Sequence, residues 1–110
     1  MIGAPTAFDR NAAGQGIRVG VIDSGVNPHP DFGSRLLPGH NYIENTKNPD
    51  DTADTFGHGT RVAGLIAGAG EHDCIGAAPM AEIVPLKCTD GQTVRVSALC
   101  RAIYGGIDDY

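Results

Sequence analysis

The run IRVGVID, residues 17–23, constrains this chain more than any other stretch. Ile17, Val19 and Val21 alternate along it, and Ile22 adds an apolar side chain on the opposite face. A strand that is apolar on both faces must be covered on both, as happens inside a parallel sheet. The run stops at Asp23, and SGVNPHPDFGS then reads as a loop punctuated by glycine and proline. GHNYIE (39–44) is a candidate for a second, short strand, and Glu82 to Lys87 for a third, entered from the turn-rich GAAPMA.

Between these strands the apolar period changes. From His58 onward, Val62, Leu65, Ile66 and Ala69 fall at i, i+3, i+4 and i+7, one face of a helix. Ala63, Gly64, Ala67 and Gly68 fill its other faces with very small side chains. Each glycine inside a helix costs ~1 kcal/mol against alanine, so a compensating close approach to neighbouring backbone is expected. The helix is expected to be buried. A second stripe, Val96, Leu99, Cys100, Ile103, Tyr104 and Ile107, predicts an amphipathic helix near the end. Residues 1–16 read as an irregular lead-in, with surface loops at 44–55 and 89–94. Strands alternating with helices imply an α/β layer around a parallel sheet, with no repeat and no internal linker.

Composition narrows the function classes. At 41% hydrophobic and 19% charged, the chain is globular in character; it lacks tryptophan, so Val, Ile, Leu and Ala must build the core. Net charge is −5 and the eight Lys and Arg are scattered. Nucleic acid is excluded as a partner, because phosphate neutralisation needs clustered cations. No run approaches the ~20 apolar residues of a membrane span, and MIGAPTAFDRNAAGQG is not a signal peptide. A soluble chain without membrane contact is expected. Cys74, Cys88 and Cys100, odd in number and without a CxxC pair, read as free core thiols.

Metal and cofactor readings fare poorly. Glu44, Asp50, Asp51 and Asp54 make 44–55 acidic, but without the ligand order and glycine turn of a calcium loop, so a solvated loop is expected. No pair among His29, His40, His58 and His72 has i, i+4 ligand spacing, which counts against a metal hydrolase. The GQGIRVG glycines precede the first strand, and no GxGxxG follows it, so a nucleotide cradle has the wrong position. The expectation is no metal and no cofactor.

Asp23 and His58 carry the chemistry. In parallel sheets ligands gather at the carboxyl ends of strands, where Asp23 sits. A partly buried carboxylate there needs a donor or a cation, although an Asx-turn closing its own loop would also serve. His58 opens a helix whose free N–H groups and dipole disfavour an imidazolium, helping the neutral form a general base requires. Gly57 and Gly59 leave its ring accessible. Taken singly, either residue has a bland structural explanation. Together, a carboxylate at a strand end and an imidazole at a helix start could meet above the sheet, the carboxylate fixing the tautomer. A nucleophile is lacking: Ser24, Ser34 and Ser97 are the serines present.

VGVIDSGV (19–26) with HPDF (29–32), GHGTRVAGLIAG (57–68) and GAAPMAEIVPLKC (76–88) resemble, in order and spacing, the opening part of subtilisin-like serine peptidases. They correspond to the family's aspartate motif, its histidine motif and the lead into its next core strand. The resemblance runs from about residue 2 to 110. It implies an incomplete subtilisin-like α/β fold, about three strands and two main helices of a larger doubly wound parallel sheet. Residues 1–110 would then be the N-terminal part of the catalytic domain of a serine endopeptidase. Asp23 would orient the imidazole and His58 would act as general base and then acid, in the family's Asp…His…Ser order. TDGQTV (89–94) is similar to the loop that pairs with extended substrate, with Gly91 the expected backbone contact.

Departures from the family pattern shape what is expected. Arg61 stands where the family most often has histidine. Asp31 matches a calcium-binding residue of some members, but the partner loop GAGEHDCIG (68–76) lacks their asparagine, so calcium is not expected. The oxyanion asparagine and the Gly-Thr-Ser serine are absent. Since loss of the serine alone costs subtilisin about a millionfold in turnover, the chain alone is expected to be inactive. A peptide or protein substrate is expected for the full-length parent; these residues do not fix its localisation, and the resemblance is compatible with a secreted or cell-associated bacterial-type protease. The family's strand beside IRVGVI follows Tyr110, so that edge is expected to be open and to recruit a second copy. The alternative is a stand-alone degenerate domain of this family, working as an interaction or self-associating module.

Overall fold

In the computed structural model, which describes residues 13–70 and 75–110, the elements follow the expected order. They are β1 (Arg18–Asp23), a single 3₁₀ turn (Gly33–Arg35), β2 (His40–Asn41), α1 (His58–Ala67), β3 (Glu82–Lys87) and α2 (Val96–Asp109). Residues 1–12 of the lead-in, and Cys74 with its neighbours 71–73, lie outside the described residues.

The three strands form one parallel sheet in the order β1-β3-β2. The register runs from Arg18 opposite Glu82 to Asp23 opposite Lys87, so both strands end at the same level. Val21 and Ile83 pack with Ala63 and Ala67 of α1. Ile22, Val84, Leu86 and Cys88 pack with Ala98, Leu99 and Ala102 of α2. One helix therefore covers each side of the sheet, which is why IRVGVID is apolar on both faces.

β2 is two residues long, shorter than GHNYIE suggests, and Pro85 gives the reason. The Ile83 carbonyl accepts from the Leu37 N–H at 2.8 Å and the Lys87 carbonyl from the Tyr42 N–H at 2.7 Å. The odd-numbered residues of β3 thus face β2, and Pro85 among them has no N–H to offer that ladder. Gly39 fills the gap: a Cβ there would lie 1.8 Å from the Pro85 carbonyl oxygen.

Both helices centre their packing on a row of small residues, with Val62 and Ile66 of α1 and Leu99 of α2 flanking it. In α1 the buried residues are Gly59, Ala63 and Ala67, while Leu65 is 67% exposed and Val62 and Ile66 are only partly covered. The helix lies too close for larger side chains, since a Cβ on Gly59 would sit 2.1 Å from the Gly25 carbonyl oxygen. Gly64, by contrast, faces open space. In α2 Ala98 and Ala102 are buried, whereas Val96, Tyr104 and Ile107 are each at least 68% exposed. Cys100 turns outward with that stripe, so only Cys88 among the described cysteines is a core thiol; both are free.

Two further features concern the surface. Asp54 is buried rather than solvated, unlike the rest of its acidic loop. Among the described residues no strand pairs with the outer edge of β1, and no helix is long and apolar enough to cross a membrane.

Candidate active site

Asp23 closes β1 and His58 opens α1, and the fold brings them together above the carboxyl end of the sheet. His58 Nδ1 lies 3.0 Å from Asp23 Oδ1 and 2.9 Å from Oδ2. The Ser24 N–H donates to Asp23 Oδ1 at 2.7 Å, so the turn after the strand also holds the carboxylate. The donor is the next residue, not the one two residues on that an Asx-turn uses, and this bond coexists with the imidazole contact. Asp23's side chain is 18% exposed and His58's is 61% exposed, which leaves the imidazole edge bearing Nε2 open to incoming groups. Gly57, at φ +100°, supplies the left-handed turn that swings the chain into α1.

The first turn of α1 is not a bare dipole end. Asp54 Oδ1 accepts from the Phe56 N–H at 3.1 Å and the Gly57 N–H at 2.7 Å. Its Oδ2 accepts from the Thr60 N–H at 2.9 Å and the Thr60 hydroxyl at 2.6 Å. Burial opposes ionisation of Asp54, but the Thr60 hydroxyl, these N–H groups and the Ser24 hydroxyl outweigh it and hold the carboxyl far below the usual carboxylate range. The positive helix end expected to act on His58 is thus offset by a capping carboxylate.

A cleft of about 390 Å³ adjoins the pair, lined by His58, Phe56, Gly91, Val94 and Leu99 among others. Gly91, at φ +98°, sits in a tight loop closed by a bridge between Thr89 and Val94. The space its side chain would take is filled by the Phe56 ring, 2.2 Å from an ideal Cβ. Cys88 also lines the cleft, its thiol pushed up by burial and by the Asp23 charge.

No serine of the sequence stands ready for His58. The Ser24 hydroxyl donates to Asp54 at 2.8 Å and accepts from the Gly59 N–H at 3.0 Å. The Ser97 hydroxyl donates to Glu44, and Ser34 lies in the 3₁₀ turn. Asp31 is buried near Arg35, whose guanidinium donates to its carbonyl and to those of Ala67 and Ala81. Among the described residues no three His, Cys, Asp or Glu side chains are grouped to hold a metal.

Comparison with known proteins places these features in context. A model described as the subtilase family matches residues 14–108. An intracellular serine protease of Paenibacillus polymyxa is 36% identical over 95 residues, spanning 84% of this chain and 29% of the relative. Subtilisin BL of Lederbergia lenta is 37% identical over 89 residues, spanning 76% of this chain and 30% of the relative. Among solved structures, the MycP3 protease from the type VII (ESX-3) secretion system superposes with a TM-score of 0.71 at 30% identity. That match covers 93% of this chain and 30% of the other. The chain therefore spans about three tenths of the length of these relatives.

Proposed function

This chain belongs to the subtilase family, and on that premise we propose that it supplies the aspartate and histidine of a serine endopeptidase catalytic domain. The observation that carries the reading is the placement of His58 Nδ1 against both Asp23 oxygens at 2.9–3.0 Å. An ionised Asp23 can only accept, so the ring proton stays on Nδ1 and the lone pair on Nε2 points away from the carboxylate. His58 then takes the proton of an attacking serine hydroxyl and returns it to the leaving amine. Asp23 stabilises the imidazolium formed between those steps.

In this reading residues 1–110 are the N-terminal part of the catalytic domain, and the nucleophile and oxyanion donor come from chain that these residues do not include. The 110 residues alone are inactive towards peptides. Gly91 is a backbone contact for the acyl side of an extended peptide, which enters the cleft by displacing the exposed Phe56 ring. Peptide or protein substrates fit the serine proteases among its relatives. The open edge of β1 supports the second proposed partner, another copy of the chain.

The test begins with the coding sequence after the Tyr110 codon. A continuation that reaches a Gly-Thr-Ser serine gives a chain that hydrolyses peptides, and His58→Ala lowers its kcat by about 10⁴-fold or more. Wild-type turnover by His58→Ala overturns the reading. A stop codon directly after Tyr110 favours the degenerate interaction module instead.

A further inference from the structure

Asp23 and His58 belong to different elements, so something must fix their separation to within a few tenths of an ångström. β1 ends at Asp23, and α1 begins only at His58. The residues flanking the pair converge on one carboxylate. Ser24, directly after Asp23, donates its hydroxyl to Asp54 Oδ1 at 2.8 Å, and Gly57, directly before His58, donates its N–H to the same oxygen at 2.7 Å. Thr60 closes the other side through both its N–H and its hydroxyl. The Gly59 N–H donates to Ser24 Oγ at 3.0 Å, completing a ring through the histidine turn.

Asp54 is itself immobilised. Asn27 Oδ1 accepts its N–H at 2.7 Å and Asn27 Nδ2 donates to its carbonyl at 2.9 Å. Lys87, at the end of β3, donates to the preceding Ala53 carbonyl. With the Phe56 N–H included, five donors meet a carboxylate that has about four lone-pair directions, so it has no alternative orientation to relax into. An ordinary helix cap needs only the donors of α1. The hydroxyl of Ser24 belongs to the other half of the site.

We propose that Asp54 is a positioning residue for the Asp23–His58 pair, locking the aspartate turn and the histidine turn into one unit and so holding the ring proton of His58 on Nδ1. The proposal rests on the reading of His58 as a base oriented by Asp23. In a subtilase, displacement of about 1 Å at such a pair is worth about 10²-fold in kcat, with KM little changed.

The test is ¹⁵N NMR of the imidazole in the 110-residue chain, at about pH 8.5, well above the ordinary imidazole pKa of about 6.5. The ring shifts report which nitrogen carries the proton. Wild type is expected to show Nδ1–H. In Asp23→Asn that form is lost, because an amide can present an N–H to Nδ1. In Asp54→Asn an amide group confronts the donors of Ser24 and Gly57 or those of Thr60, and the proton redistributes towards Nε2 while the β1 and β3 amide signals persist. Ser24→Ala cuts the strap but keeps the cap, and gives a partial loss. A folded Asp54→Asn that keeps the wild-type Nδ1–H form overturns the proposal. If Asp54→Asn does not fold, an unaltered Nδ1–H form in Ser24→Ala overturns it. Persistence of Nδ1–H in Asp23→Asn instead defeats the reading of the pair itself, and the proposal with it.

Discussion

Asp54 does more for this structure than its place in an acidic loop suggests. Removing it strands the Thr60 and Ser24 hydroxyls and the N–H groups of Phe56, Gly57 and Thr60, so Asp54→Ala is expected to cost about 2–4 kcal/mol in urea unfolding at pH 7. Its pKa is lowered by folding, so its stabilisation is complete above the unfolded value of about 3.9 and drains away as pH falls below it. The difference between wild type and Asp54→Ala should therefore be full at pH 7 and shrink below about pH 4. A difference independent of pH would show that the charge is immaterial. The sequence carried a signal for this residue: Gly57 has no side chain to cap α1, and an aspartate just ahead of a helix start is a cap candidate. The resemblance of 44–55 to a solvated loop masked it. Glycines divide equally sharply. Gly59→Ala places a Cβ 2.1 Å from the Gly25 carbonyl oxygen and should abolish folding. Gly64→Ala meets nothing within 4 Å and should stabilise by about 1 kcal/mol, as measured by thermal unfolding.

At the scale of elements, hydrophobic period located both helices but not the small residues at the centre of each buried face, which Val62, Ile66 and Leu99 only flank. Val62, Leu65, Ile66 and Ala69 share a helical face, and period alone cannot say whether a sheet accepts a row of large side chains or of small ones. Here the sheet takes the small row, Gly59, Ala63 and Ala67, because α1 starts within contact of the Asp23 loop. Leu65→Gln should accordingly shift stability by no more than about 0.5 kcal/mol. Ala63→Val, at a side chain with no exposure, should cost about 1–3 kcal/mol through overpacking. Equal losses in both variants would mean that α1 is rotated about its axis. Pro85 works at the same scale, since its missing N–H shortens β2 to two residues.

Among the described residues, the outer edge of β1 pairs with no strand, and the exposed apolar side chains include the α2 stripe of Val96, Ile103, Tyr104 and Ile107. The 110-residue chain is expected to self-associate with rising concentration in light scattering. Tyr104→Lys combined with Ile107→Lys should weaken that association. A clean monomer at millimolar concentration would refute it.

The sequence by itself determined the element order, the parallel α/β class and the family, because strand and helix periods and the GHGT and DSG motifs are local patterns. It also singled out Asp23 and His58, whose residue types and positions at element ends are written in the chain. Only the tertiary structure decided which helix row is buried, that Asp54 bridges the aspartate and histidine turns, and that Phe56 lies over Gly91. Those outcomes depend on distances of a few ångströms between segments some 30 or more residues apart. Such distances are set by how closely the layers approach, and by no property of either segment alone.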